Sequence, residues 1–208
     1  MRSNRLLGSS KSNCSMAKSA SIRGVTLEIR RLTNAEFTML VPTLVDIYID
    51  AMGYNPTIRA QRINVWRGEV RWPGFTAIAA VEGGEVVGVA YGFLGARERW
   101  WDRQLIRALR QRGGPTESEW AMLRNYFEVA EVHVTPGQQG RGIGTLLLDE
   151  LLRGVPAHWA LLSTPEVEGE ENNAFSLYRK FGFQDIVRGF LYEGDARPFA
   201  ILGRKLVE

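Results

Sequence analysis

Two groups of residues in this chain have the types and spacing to do chemistry. The first is the stretch Glu131-Val132-His133-Val134-Thr135-Pro136-Gly137-Gln138-Gln139-Gly140-Arg141-Gly142-Ile143-Gly144-Thr145, which reads as a strand, a glycine-rich turn and the start of an apolar-faced helix. Gly140, Gly142 and Gly144 stand at alternate positions, so the backbone can turn several N–H groups toward one point. The helix that follows adds its own unsatisfied donors and the positive end of its dipole. Such a turn suits a phosphate or pyrophosphate. The second group is a pair of carboxylates, Glu128 and Glu131, on the strand before the turn, either of which could take up a proton.

Two common phosphate loops do not fit the turn. A P-loop ends in Gly-Lys-Ser/Thr, whereas this chain has Gly142-Ile143-Gly144-Thr145 without a lysine. A dinucleotide fold places Gly-x-Gly-x-x-Gly in an early βαβ unit, and the spacing here is Gly140-x-Gly142-x-Gly144, late in the chain.

The elements that must position these groups are legible in the patterning. Val25, Leu27 and Ile29 alternate with polar residues over Val25–Leu32, a half-buried strand. Thr33-Asn34-Ala35-Glu36 has the form of a capping box for a helix to about Ala51, with a kink expected at Pro42. A second helix is predicted over Ile58–Val70. Phe75–Glu82 and Glu85–Phe93 read as strands around the hairpin signal Gly83-Gly84. Residues 96–124 interrupt this pattern as an insert. There Arg99, Arg103, Arg107 and Arg110 line one helical face, expected to be solvated, with Trp101, Leu105, Ala108 and Leu109 on the other. A short helix from Thr116 to about Leu123 should follow. Tyr126–Val134 is the next strand, Gly142–Leu152 a helix, His158–Leu162 a strand, Asn173–Phe181 a helix, and Gly182–Leu191 and Pro198–Leu206 two closing strands. This is an α/β layer fold around one sheet.

Composition narrows the possibilities. With 208 residues, 45% apolar and 24% charged, the chain has the usage of a soluble globular protein of one domain. Its longest uncharged apolar run, Val86–Ala96, is far short of the roughly 18–20 residues that span a membrane. One cysteine, Cys14, excludes an internal disulfide and a cysteine-based zinc site, and two histidines argue against a histidine-rich metal centre, so no metal is expected. The net charge of +3 arises in the tail: residues 1–27 hold five bases and no acid, and the rest holds 21 bases against 23 acids. A nucleic-acid partner is therefore not expected. Residues 1–24, with seven serines, read as a flexible basic extension, leaving 25–208 as the folded domain. Met16 could serve as an alternative start. The cytoplasm is the default location.

The glycine turn resembles the cofactor motif of the GNAT superfamily of N-acetyltransferases. The signature Gln/Arg-x-x-Gly-x-Gly/Ala falls on Gln139-x-x-Gly142-x-Gly144. A second motif, Asn-x-x-Ala-x-x-Leu-Tyr-x-x-x-Gly-Phe, is matched about thirty residues later by Ala174, Leu177, Tyr178, Gly182 and Phe183. Glu171 occupies the motif's Asn position, so Asn172 or Asn173 would make that contact after a small shift of the helix start.

The resemblance implies a mixed, mostly antiparallel central sheet flanked by helices in a single domain. It also implies direct transfer of an acetyl group from acetyl-CoA to an amine, without a covalent acyl-enzyme. The pantetheine arm would lie along the backbone of Val132, His133 and Val134, and the pyrophosphate on Gly140, Arg141, Gly142, Ile143, Gly144 and Thr145. Arg141, Arg179 and Lys180 would reach phosphate oxygens. Tyr178 would protonate the departing thiolate. For the base, Glu128 is preferred because it stands at the spacing from Gly142 used by histone-type relatives, with Glu131 second. Strand alternation puts Glu128 on the face of Ala130, Val132 and Val134, and Glu131 with Val129 and His133. A bulge in this strand, which the family has, would break that parity. His133 reads as a packing residue of the strand.

The expected acceptor is a small primary amine. Trp66, Trp72, Trp100, Trp101 and Trp120 lie in the segments that would bound its cleft, Trp101 and Trp120 reading as docking residues of the insert. A protein N-terminus or lysine is the competing acceptor, and a non-catalytic acyl-CoA-binding module the competing function. A monomer and a homodimer are both left open.

Overall fold

The structure is a computed structural model that describes residues 18–22 and 25–206. The elements follow in the order β1 (Lys18–Ile22), β2 (Val25–Leu32), α1 (Asn34–Met52), α2 (Arg59–Glu69), β3 (Thr76–Glu82), β4 (Glu85–Leu94), α3 (Trp100–Gln111) and α4 (Glu117–Arg124). Then come β5 (Tyr126–Val134), α5 (Ile143–Leu152), β6 (Trp159–Pro165), α6 (Asn173–Lys180), β7 (Gln184–Leu191) and β8 (Pro198–Lys205). The eight strands form one sheet in the order β1-β2-β3-β4-β5-β6-β8-β7. Every neighbouring pair is antiparallel except β5 and β6. The expected mostly antiparallel sheet flanked by helices is what the chain forms. Among the described residues no helix is long and apolar enough to cross a membrane.

Two helical layers cover the sheet. On one side α1 begins at a complete capping box, the Thr33 side chain accepting from the Glu36 N–H and the Glu36 carboxylate accepting from the Thr33 N–H. The helix runs through Pro42 and buries Phe37, Val41, Leu44, Val45 and Tyr48, spaced three or four apart, against Tyr91, Phe93 and Trp66. On the other side α5 and α6 place Leu147, Leu148, Leu151, Phe175 and Tyr178 over Ala90, Phe127 and Val129. The insert adds a third cluster, in which Trp101, Leu105 and Leu109 of α3 pack with Phe190, Tyr192 and Ile201 at the far end of the sheet.

The start of the chain departs from expectation. Lys18–Ile22 forms β1 and pairs with β2 from Lys18↔Ile29 to Ile22↔Val25, so this stretch of the expected flexible extension is an edge strand. Its serine-rich composition hides a strand that the free backbone edge of β2 recruits. Residues 1–17, with Cys14 and Met16, lie outside the described residues.

Candidate active site

The site is built where β5 changes its relations with both neighbours. Its parallel pairing with β6 ends after Tyr126↔Trp159, Phe127↔Ala160 and Glu128↔Leu161. Beyond that point the two strands part, and the β6-facing backbone groups of β5 have no ladder partner. On its other side β5 stays paired with β4, but Tyr91 opposes Glu131 while Gly92 opposes Val129. Ala130 is the extra residue of a bulge. Gly92 makes room for it, since a Cβ there would stand 2.2 Å from the Glu128 carbonyl oxygen.

The bulge changes the parity expected from alternation. Phe127 and Val129 before it, and Val132 and Val134 after it, all pack with the α5 and α6 layer. Glu128, Ala130, Glu131 and His133 therefore share the α1 and α2 side, which simple alternation divides between two faces. Both candidate carboxylates and the histidine look the same way.

A cavity of about 560 Å³ fills the gap between the parted strands, within the range of small-ligand sites. Val132, His133 and Val134 form one wall, and Thr164 and Pro165 of β6 the other. Its floor is the turn, with Gln139, Gly140, Gly142, Ile143, Gly144 and Thr145, and α6 closes it with Asn172, Asn173, Ser176, Tyr178 and Lys180. All the sequence-predicted ligand contacts except Arg141 and Arg179 thus come together. Gly142 caps α5 with φ at 82°, in the left-handed region, and no side chain caps that helix. The N–H groups of its first turn therefore face the cavity without acceptors from the helix. A Cβ at Gly142 would meet nothing within 4 Å, so its conformation and the open space before it call for glycine.

Individual side chains depart from their expected roles. Arg141 turns away and forms a forked pair with Glu82 at 2.7 and 2.9 Å. Arg179 is engaged by Glu170 and Asp185, leaving Lys180 as the cation that lines the cavity. Gln139 donates to the Val134 carbonyl at 3.1 Å and braces the turn. Asn172 accepts from the Phe175 N–H at 2.8 Å as the N-cap of α6, with Asn173 following it. Asn172, and not Glu171, therefore caps the start of the helix. Thr164, Pro165 and Ser176 carried no motif that marked them as wall residues.

The acids differ in access. Glu128 is buried, and its carboxylate lies 3.3 Å from Arg99, which also donates to Glu69 at 3.0 Å. The Arg99 guanidinium sits 3.7 Å from the Phe93 ring centre and 4.6 Å from that of Trp72. Arg99 is thus packed inside the molecule, unlike the solvated row to which it was assigned. Burial pushes the Glu128 carboxyl up to about 8 against the opposing pull of Arg99, and burial raises Glu69 as well. One guanidinium neutralises only one of two carboxylates. Glu131 is 21% exposed and bonds His133 Nε2 at 2.5 Å. His133 in turn packs edge-on against Tyr48, with ring centres 5.1 Å apart. Tyr178, buried beside Phe183, has its phenol held well above the usual range by burial, so it keeps its proton.

The family model "Acetyltransferase (GNAT) domain" matches residues 73–185. The chain belongs to the GNAT acetyltransferase family. GCN5-like protein acetyltransferase Rv2170 of Mycobacterium tuberculosis is 39% identical over 182 residues, covering 77% of this chain and 88% of that protein. Among solved structures, yncA of Salmonella typhimurium, described as a putative acetyltransferase with its cofactor acetyl-CoA, has a TM-score of 0.56 at 17% identity, covering 88% of this chain and 95% of that one. Ard1 of Thermoplasma volcanium has a TM-score of 0.59 at 17% identity, covering 88% of this chain and 99% of that one. As in other GNAT acetyltransferases, the donor is acetyl-CoA, and the parted strands and uncapped α5 fit it. A peptide-like arm can pair with the open edge of β5, and a pyrophosphate can accept from the first turn of α5.

Proposed function

We propose that this GNAT acetyltransferase moves the acetyl group of acetyl-CoA directly to a primary amine carried on a polypeptide, a protein N-terminus or a lysine. The observation that carries the transfer is the cavity. It joins an open strand edge, an anion-binding helix end and a buried phenol in one continuous space. In this reading Tyr178 gives its proton to the departing thiolate, a role supported by its place in the cavity wall and by a phenol that burial keeps protonated.

The acceptor reading rests on two supports. The tryptophans that pointed to a small amine are largely occupied in packing. Trp66 is fully buried, Trp72 stacks on Arg99, and Trp101 donates to the Tyr192 hydroxyl at 3.0 Å. The 39% identical relative is named a protein acetyltransferase. Thiol release from acetyl-CoA should be followed with short peptides of varied N-terminus and internal lysine, and in parallel with amino acids, polyamines, aminoglycosides and aryl amines. Peptides are expected to be the better acceptors. A small amine turned over faster than any peptide would overturn the acceptor class. No thiol release with any amine, despite a raised melting temperature in acetyl-CoA, would leave an acyl-CoA-binding module.

A further inference from the structure

We infer that His133, oriented by Glu131, is the group that takes the proton from the attacking amine. The inference rests on the transfer reading above. Of the two acids on β5, Glu128 is the one whose position in the sequence pointed to a base, yet it lies behind Arg99 and does not reach the cavity. His133 does line the cavity, together with Tyr178, the proposed donor to the thiolate. The Ala130 bulge is what brings His133 and Glu131 onto one face of the strand.

The Glu131 contact decides which imidazole nitrogen is free. Glu131 lies at 2.5 Å from Nε2, and a carboxylate accepts from an N–H, so this contact fixes the proton on Nε2 and leaves the lone pair on Nδ1. Nδ1 has no hydrogen-bond partner among the described residues. A carboxylate on the far nitrogen also stabilises the imidazolium that forms when Nδ1 is protonated. Glu131 is accordingly a positioning residue, and Tyr48 fixes the ring plane from α1.

The step balances without another reactant. The amine nitrogen bonds to the acetyl carbonyl carbon, and the carbon–sulfur bond breaks with its electron pair going to sulfur. One proton of the amine passes to His133 Nδ1, directly or through one water. The thiolate takes the Tyr178 proton, and His133 returns its proton to the phenolate through solvent. The products are an N-acetylated amine and coenzyme A.

The test uses the full chain with acetyl-CoA and the best peptide acceptor. Tyr48, with Arg62 over its ring, packs on His133, and Tyr178, Glu69 and Glu128 couple electrostatically to Glu131. His133→Gln should keep the melting shift in acetyl-CoA and the KM for acetyl-CoA. It should lose roughly 10²-fold or more in kcat, with part of that loss restored by added imidazole. Glu131→Gln should keep the KM for acetyl-CoA and show a smaller fall in kcat, since the imidazolium loses its carboxylate. This second variant reports even where His133→Gln folds poorly. Wild-type kcat in His133→Gln, or an unchanged kcat in Glu131→Gln, would overturn the assignment while the transfer reading stands. A wild-type protein that binds acetyl-CoA but acetylates nothing would overturn both.

Discussion

Arg99 and Glu128 meet at 3.3 Å inside the molecule, although one begins the insert and the other lies on the central sheet. The same guanidinium holds Glu69 at the end of α2, so three separate elements are tied at one buried cation. Removing it takes the partner from Glu69 and leaves Glu128 the more firmly protonated. Arg99→Ala should destabilise the fold by about 3–5 kcal/mol, the usual cost of leaving a buried charge without its partner. Arg99→Lys should recover only part of that, because an ammonium cannot fork between two acids or stack on Trp72 and Phe93. Urea unfolding of the three proteins at one pH measures both.

Glu128 also makes stability depend on pH in a definite direction. Its folded carboxyl titrates at about 8, above its ordinary 4.5, so the folded state holds the proton more tightly than the unfolded chain. Its contribution is therefore fully present below pH 4.5 and is lost as the pH rises toward about 8. Glu128→Gln removes that proton binding. The melting temperature of the variant relative to wild type should rise steadily between pH 5 and pH 8 and then level off. A constant difference across that window would mean that Glu128 is ionised throughout.

Gly142 separates ligand binding from folding. A side chain there meets no protein atom within 4 Å but projects into the space before the first turn of α5. Gly142→Val should cost about 1–2 kcal/mol from the left-handed backbone alone. The rise in melting temperature that saturating acetyl-CoA gives the wild type should disappear. A variant that still responds to acetyl-CoA would place the pyrophosphate elsewhere.

How much of this was legible varied with the kind of signal. Strand β5 was read to its exact ends because Tyr126–Val134 is rich in β-branched and aromatic residues and bounded by Asn125 and Thr135-Pro136. The cavity floor is legible because Gly140 and Gly142, both at positive φ, stand two apart just before a helix. The shared face of Glu128 and Glu131 was not, since one inserted residue reverses alternation and Ala130 looks like any strand alanine. Its only trace is Gly92 on the facing strand. The helical periodicity that puts Arg99 in the solvated row runs one residue beyond the helix. This residue is the N-cap of α3, so its side chain leaves the helical row and enters the core. Thr164 and Pro165 escaped notice because β6 runs three residues beyond the apolar pattern that marked it.

The phenol of Tyr178 should matter to turnover and little to binding. Tyr178→Phe keeps the ring that packs against Phe183 at 5.9 Å, and so keeps the wall of the cavity. The affinity for acetyl-CoA should stay within about a factor of two to three, the lost hydroxyl being worth at most one modest hydrogen bond. Thiol release should fall by roughly 10²-fold or more, since the leaving thiolate must then find its proton in water. Burst measurements locate the loss in the chemical step, and an unchanged turnover would leave Tyr178 with packing alone.

The insert is part of the core, and one buried hydrogen bond tests it. Tyr126, at the start of β5, donates to the Asp102 carboxylate of α3 at 2.9 Å, and both residues are buried. The second Asp102 oxygen has no partner among the described residues, so this phenol is the donor on which the carboxylate depends. Tyr126→Phe should destabilise the chain by about 1–3 kcal/mol, because it removes that donor and leaves the acceptor buried. Asp102→Leu alone leaves the phenol stranded in the same way. The double substitution removes both polar groups, so its cost should be smaller than the sum of the two single costs by about 1–2 kcal/mol. Because β5 carries Glu128 and the His133 pair farther along, the single variants should also lower kcat, whereas a freely hinged insert would give additive stability losses and an unaltered kcat.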